Sequence, residues 1–197
     1  MRAIEWHRCL ESQRELYGKT VLSITELSHL SGTHNLLSMK VQAGRLVKAG
    51  VLQRCAIGKY SLPGAADPES LLPYLDSCAY MTGIYALSRH NMITQVPSQI
   101  TCFTNRRHNL ARIRPTAVGV FRFICVSPRF YARPHEGLLA SPEQAICDWV
   151  LTLRHRGLLP AGLVTLRLSG KLNPDQLSKH LQRYPATVQQ NVLELLR

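Results

Sequence analysis

Residues 45–62 read RLVKAGVLQRCAIGKYSL, and this stretch decides the fold class. Apolar residues recur at helical spacing up to Gly50, and two short segments with apolar residues then flank Gly58. A glycine between two such segments is typical of a β-hairpin turn. Arg54 and Lys59 stand on either side of that turn. The stretch therefore predicts a helix followed by a basic hairpin, which is either an ordinary surface hairpin or the wing of a winged helix.

A short helix precedes this stretch and has both ends marked in the sequence SITELSHLSG, residues 23–32. Ser23 followed three residues later by Glu26 has the spacing of a capping box. Gly32 permits the left-handed conformation that ends a helix. Another helix is predicted upstream, from about Ala3 to Leu16, with its apolar face formed by Ile4, Cys9, Leu10 and Leu16.

A longer helix is predicted over residues 33–50, which read THNLLSMKVQAGRLVKAG, with Thr33 as its cap. Apolar residues repeat at helical spacing and predict its buried side: Leu36, Met39, Ala43 and Leu46. A short helix, a turn and a longer helix form a helix-turn-helix. Together with the hairpin, this order favours a winged helix-turn-helix over an ordinary surface hairpin.

The polar residues of the longer helix are the candidate DNA contacts. Asn and Gln pair with adenine and Arg pairs with guanine, and the residues expected on the outward side are Asn35, Ser38, Gln42 and Arg45. Lys40 is expected to reach a phosphate from the flank of the helix, and Arg54 and Lys59 are expected to contact phosphates from the wing. An ordinary solvated helix face and hairpin are the alternative.

The sequence PGAADPES predicts a linker, so the domain boundary is expected near residues 63–68. Residues 1–64 are then the winged helix-turn-helix domain, and residues 69–197 are a second domain of mixed α/β composition. In the second domain, helices are predicted in residues 71–80, 82–92, 140–157, 173–184 and 186–196, and strands in residues 99–104 and 120–126. We therefore predict an α+β protein.

Between the two predicted strands lies the sequence NRRHNLARIRP, which predicts a basic loop. Its cations are Arg106, Arg107, Arg112 and Arg114. They form a second phosphate-binding surface, a solubilising loop, or a docking site for an acidic protein.

The overall charge favours a polyanionic partner. The chain has 197 residues, a net charge of +12 and a pI near 9.9, and such a basic balance is typical of nucleic-acid binding. Residues 1–64 hold nine basic and four acidic side chains, and residues 65–135 hold eight and three. We therefore expect double-stranded DNA as the partner. No apolar run is long enough to cross a bilayer, and the N-terminus is not a signal peptide, so we expect a cytoplasmic protein.

No motif predicts an enzyme, a cofactor or a metal site. No two of the six cysteines lie within four residues of each other, which argues against zinc. The sequence lacks an H-E-x-x-H pair, a Walker loop and a G-x-S-x-G turn. Glu143 is expected to complement the dipole of its helix, and Asp148 is expected to pair with an arginine.

Four stretches follow one another in the chain: the predicted winged helix ending GRLVKAGVLQRCAIGKYSLPG, then YMTGIYALSRHNMITQVPSQITCFT, GVFRFICV and LASPEQAICDWV. In this order they resemble the AbiEi family of bacterial antitoxins and transcriptional regulators. Family members show a Tyr-x-Ser/Thr-Gly-x-x-Ala-Leu helix followed by a strand, and an Ala-Ser-Pro-Glu-x-Ala-x-x-Asp stretch. The resemblance spans most of residues 20–150. Asn91 stands where the helix of many members ends in glycine, and the region after Gly157 is shorter than in some members.

The resemblance implies a repressor that binds inverted repeats in its own promoter. It also implies a neighbouring gene for an AbiEii-like nucleotidyltransferase toxin, which the antitoxin opposes without obligatory tight binding. Two alternatives stay open. The chain is a winged-helix regulator with no link to a toxin, or residues 69–197 bind a toxin directly.

Overall fold

The computed structural model describes residues 2–107, 111–160, 163, 166–167 and 172–196. Within those residues the chain forms eight helices and two β-sheets, which confirms the α+β class. The chain divides into two compact units. The first comprises Met1–Ser77 with Pro115–Gly119, and the second comprises Cys78–Arg114 with Val120–Arg197.

The first unit is built from four helices and a three-stranded sheet. In chain order its elements are α1 (Ala3–Tyr17), β1 (Val21–Ser23), α2 (Ile24–Ser31), α3 (Leu36–Lys48), β2 (Gln53–Ala56), β3 (Lys59–Ser61) and α4 (Pro68–Leu75). The antiparallel sheet has the order β1-β3-β2. The hairpin expected around Gly58 is confirmed, whereas strand β1 was not predicted.

The helix ends show which local signals decide this unit. The Ser23 hydroxyl accepts from the Glu26 amide and the Glu26 carboxylate accepts from the Ser23 amide, as predicted. The prediction of Thr33 as the cap of α3 is wrong. The backbone amide of Thr33 donates to the Ser28 carbonyl and so completes the end of α2. Asn35 caps α3 instead, because its Oδ1 accepts from two amides of the first turn.

The core of the first unit is apolar. Its largest buried side chain, Trp6, packs with Leu10, Leu27, Met39, Ala43 and Leu46. The predicted face of α1 is wrong at Ile4 and Leu16, which are 61% and 73% exposed, and is confirmed at Leu10. Trp6, one turn before Leu10, enters the core with it and was not predicted.

Helix α4 belongs to the first unit, although the sequence predicted a boundary before it. Its Tyr74 hydroxyl donates to the Val21 carbonyl oxygen at 2.8 Å. The Lys59 Nζ atom lies 5.0 Å from the centroid of the Tyr74 ring, a cation–π distance. These contacts explain why the first unit continues past residues 63–68 to Ser77.

The second unit is built around a four-stranded sheet of order β4-β5-β7-β6. Its elements are β4 (Tyr80–Met81), α5 (Gly83–Arg89), β5 (Ile100–Thr104), β6 (Ile113–Thr116), β7 (Gly119–Cys125), α6 (Pro142–His155), α7 (Pro174–Leu181) and α8 (Ala186–Leu195). Strands β5 and β7 are parallel. The Pro115–Gly119 segment, which belongs to the first unit, comprises the turn between β6 and β7 and the adjoining ends of both strands.

Most elements of the second unit were predicted, with three corrections. The helix predicted over residues 71–80 ends at Leu75 as α4, and Tyr80 begins strand β4. Part of the expected arginine loop is strand β6, which contains Arg114. Gln144 does not complete a capping box at Ser141, because its Nε2 donates to the Ala132 carbonyl oxygen. The Asn91 backbone is left-handed, with φ 58°, as predicted for the end of α5. No helix within the described residues has the length and apolarity needed to cross a bilayer.

Candidate nucleic-acid interface

Helix α3 presents an apolar strip to solvent rather than a polar one. Its buried side faces the core through Met39, Ala43 and Leu46. Since a helix turns 100° per residue, the residues directly opposite are Leu37, Val41, Gly44 and Lys48. The Leu37 and Val41 side chains are 71% and 57% exposed.

The predicted polar contacts of α3 occupy its flanks. Ser38 and Arg45 are exposed on one flank and Lys40 on the other, while Gln42 is half-buried. The expectation that Asn35, Ser38, Gln42 and Arg45 lie opposite the core is therefore wrong by about a quarter of a turn.

Asn35 has a structural role that limits its use as a base contact. Its Oδ1 accepts from the Leu37 amide at 2.9 Å and from the Ser38 amide at 3.2 Å. Bidentate pairing with adenine needs both the oxygen and the nitrogen of the side-chain amide. Because both acceptor sites of the oxygen are in use, only the amide nitrogen is left for a base.

Electrostatically, α3 is purely basic. It carries Lys40, Arg45 and Lys48 and has no acidic residue. The carboxylate of the neighbouring helix α2 is Glu26, which is neutralised by the Lys19 Nζ atom at 2.5 Å. A phosphate approaching α3 therefore meets uncompensated positive charge.

The β2–β3 hairpin presents one of its two predicted cations outward. Arg54 is exposed, and its Nε donates to the Ala56 carbonyl at 3.4 Å. Lys59 is half-buried and lies against the Tyr74 ring of α4. The turn itself exposes 87% of Ile57. Along β2, the Ala117 amide donates to the Cys55 carbonyl at 3.0 Å.

In the second unit, the four predicted arginines line one cleft of about 750 Å³. Arg106, Arg107 and Arg112 are exposed at its walls. The Arg114 guanidinium carbon lies 4.2 Å from the centroid of the Phe123 ring. None of the described residues that line this cleft is acidic. Residues 108–110 of the predicted loop lie outside the described residues.

A second basic cleft, of about 700 Å³, was missed by sequence reasoning. Its cationic side chains come from residues 129–133 and from the stretch around α7, and they are Arg129, Arg133, Lys179 and Arg183; His135, His180 and the acidic Glu143 also line it. Burial, together with the Arg183 charge, lowers the pKa of His180. The spacing of four residues between Lys179 and Arg183 was the one sequence pattern that indicated this cleft, and it indicated only the half formed around α7.

Asp148 does not pair with an arginine. It is completely buried in the second unit and accepts hydrogen bonds from three hydroxyls: Tyr80 at 3.1 Å, Thr82 at 2.6 Å and Tyr184 at 2.5 Å. Burial raises the pKa of Asp148 to about 7, and the hydrogen bonds from Thr82, Tyr184 and Tyr80 oppose that rise. Residues 80–104 and 139–150, two of the stretches compared with AbiEi proteins above, meet at this carboxylate.

The other sequence candidates also have structural contacts. Glu143 Oε1 accepts from the Asn173 amide at 2.9 Å and so ties α6 to the start of α7. Cys55, Cys102 and Cys147 are buried thiols, and burial raises the pKa of Cys147. Within the described ranges, no three His, Cys, Asp or Glu side chains gather in a way that could hold a metal ion.

Comparison with known proteins shows the fold. No family model matches the chain, and neither does any curated protein sequence. A solved structure, the crystal structure of the RV2827C protein from Mycobacterium tuberculosis, matches it with a TM-score of 0.55 at 16% sequence identity. The match covers 98% of this chain and 76% of that one. The two chains therefore share a fold.

Proposed function

We propose that this chain is a winged-helix DNA-binding antitoxin of the AbiEi type, which represses its own operon through promoter inverted repeats and opposes a nucleotidyltransferase toxin. The observation that carries the proposal is helix α3, which is exposed, bears three cations and has no acidic residue. The exposed Arg54 of the neighbouring hairpin adds positive charge to the same unit.

The element order supports a winged helix in the first unit. A helix, a strand, two helices and a hairpin that closes a three-stranded antiparallel sheet follow one another. In such a domain the last of the three helices enters the major groove, and the hairpin is the wing. Here these elements are α3 and β2–β3.

The dimensions of α3 suit this role. Its 13 residues span about 20 Å, and a helix fits the major groove, which is about 12 Å wide. Ser38 and Arg45 lie on the flank that offers hydrogen bonds to base edges, whereas Lys40 and Lys48 reach phosphates. Arg54 contacts the backbone from the wing. Because Lys59 packs on Tyr74, it contributes less than Arg54.

The arginine cleft of the second unit adds phosphate contacts that do not depend on sequence. Four arginines without an acidic neighbour among the described lining residues repel one another, and a polyanion relieves that repulsion. The DNA duplex that α3 binds in this proposal is the candidate for that polyanion.

The antitoxin part of the proposal rests on the resemblance. The stretches that carry it supply Tyr80, Thr82 and Asp148, which are joined by hydrogen bonds in the core of the second unit. The similarity therefore involves residues that hold the fold together. A toxin encoded beside this gene should lose its effect on growth when the two are expressed together, and a stable complex of the two proteins would instead favour direct binding.

The test is a salt titration of binding to the DNA upstream of the gene. Phosphate contacts release counterions, so log affinity should fall against log salt with a slope of about −0.9 per phosphate. Replacing Arg106, Arg107, Arg112 and Arg114 with alanine should flatten that slope and leave the sequence preference intact.

A matched control separates the arginine cleft from net charge. Replacing Arg129, Arg133, Lys179 and Arg183 with alanine removes the same charge from the same unit, and this variant should keep most of the parent slope. Equal losses in the two variants would mean that only total charge matters. Equal affinity for upstream and unrelated DNA, or affinity that does not change with salt, would contradict the proposed function.

A further inference from the structure

The outward side of α3 is chemically unusual for a surface helix. Leu37 and Val41 are exposed one turn apart, and Gly44 follows on the same side. Single exposed apolar residues are common. Here, however, the opposite side of the same helix already supplies the core through Met39 and Ala43, so the outward strip has no partner in this unit.

Gly44 requires an explanation of its own. Glycine is less favourable than alanine inside a helix, and Gly44 lies in the middle of α3 with a backbone that any residue can adopt. A Cβ atom built at this position meets nothing within 4 Å. Packing within the protein therefore does not require a glycine. An external molecule that approaches the backbone closely would require one.

The charges beside the strip indicate which kind of molecule binds it. Lys40 lies on one flank and Arg45 on the other, Lys48 extends the strip, and no carboxylate lies on the helix. An apolar strip with one cation on each side is complementary to the major groove, where phosphates line both edges and base edges form the floor. The apolar group on that floor is the C5-methyl of thymine.

We infer that Leu37 and Val41 recognise thymine methyl groups in the operator half-site, and that Gly44 lets α3 approach the bases closely. This inference rests on the proposed function and specifies the bases that α3 reads. Leu37 and Val41 form no side-chain hydrogen bonds, so they distinguish thymine by its methyl group alone. Ser38 and Arg45 supply the polar contacts beside them.

The experiment replaces thymine with uracil in the half-sites of the upstream DNA, which removes the methyl groups and keeps the base pairs. The parent protein should bind the uracil DNA more weakly, by about fourfold for each contacted methyl. The same replacement outside the half-sites should have no effect. Val41→Ala and Leu37→Ala should bind thymine DNA more weakly and should lose most of the preference for thymine over uracil.

Gly44→Ala tests the close approach separately. The variant should melt no lower than the parent, because alanine favours the helix, and should nevertheless bind operator at least tenfold more weakly. Leu16→Ala removes an equally exposed leucine from α1 and is the matched control, which should bind like the parent.

The outcomes distinguish the two claims. If the parent does not prefer the upstream DNA, the proposed function fails. If it binds that DNA with the expected salt slope but binds thymine and uracil half-sites equally, the function stands and the thymine inference is overturned. Gly44→Ala binding at parental affinity would overturn the close approach.

Discussion

Each of the two units buries one tryptophan, but the surroundings of Trp6 and Trp149 differ in kind. Trp6 packs in an apolar cluster on α1, α2 and α3. Trp149 follows Asp148, whose carboxylate is fully buried among three hydroxyls. The first core depends on hydrophobic packing, whereas the second also depends on a polar network that must stay fully hydrogen-bonded.

The polar network ties distant parts of the second unit together. Tyr80 precedes α5, Tyr184 follows α7, and both donate to the carboxylate on α6. Burying a carboxylate costs stability unless it is hydrogen-bonded, and three donors here offset part of that cost. Removing the carboxylate would deprive three buried hydroxyls of the acceptor that they share.

The largest expected effect is that of Asp148→Ala. We expect it to lower the free energy of unfolding of the second unit by about 3 to 5 kcal/mol, because it orphans several buried donors. Hydrogen exchange in urea, followed by mass spectrometry, should show the loss of protection in α6 at lower urea than in α3. A loss below about 1 kcal/mol would mean that the network is not what holds this core. Simultaneous loss in both helices would mean that the two cores unfold together.

The next effect is a dependence of stability on pH that follows from the burial of Asp148 in the second core. Asp148 has a pKa of about 7 in the folded chain against 3.8 for an ordinary aspartate. Because the folded state holds the proton more tightly, this contribution to stability is fully present below about pH 4 and is lost as the pH rises through 7. The loss amounts to about 4 kcal/mol at most.

Asp148→Asn is the matched variant for this prediction, since it is neutral and similar in shape. The free energy of unfolding of the second unit, measured in urea, should fall in the parent as the pH rises from 4 to 8. It should change much less in Asp148→Asn. Parallel curves for the two proteins would place the titrating group elsewhere.

The same contrast explains which elements could be predicted from the sequence. In the first unit, the cap at Ser23, the stop at Gly32 and the buried spacing of Met39, Ala43 and Leu46 are local signals, and all are confirmed. Leu36, which was predicted on the same buried side, is 44% exposed. Strand β1 was missed because three residues are too few to show a period. On α1, the exposed Ile4 and Leu16 were mistaken for core because composition cannot tell an exposed apolar residue from a buried one.

In the second unit, the helices were predicted but their role was not. Ten of the 14 residues of α6 are buried, so the apolar spacing in its sequence indicated only part of its buried surface. The partners of Asp148 lie 36, 66 and 68 residues away in the chain, a separation that no local pattern reveals. The expectation of an arginine partner assumed an ordinary charge pair.

The parts of the candidate site that were predicted and those that were missed also differ in how far apart their residues lie in the sequence. The four arginines of the first cleft lie within nine residues, and a loop and one strand bring them together. The second cleft combines residues about 50 positions apart and so was missed. On α3 the prediction favoured polar residues, which hid the apolar strip of Leu37 and Val41.

The smallest expected effect concerns the local signals of the first unit. Asn35→Ala should destabilise it by about 1 kcal/mol, because the amides of Leu37 and Ser38 lose their acceptor. Asn35→Asp should retain the parent stability, since a carboxylate caps equally well and complements the helix dipole. Thr33→Ala should change stability by less than about 0.5 kcal/mol, because Thr33 completes α2 through its backbone. Hydrogen exchange in α3 at increasing urea concentrations measures the stability of all three variants. A larger loss of stability in Thr33→Ala than in Asn35→Ala would instead support Thr33 as the cap, as the sequence alone predicted.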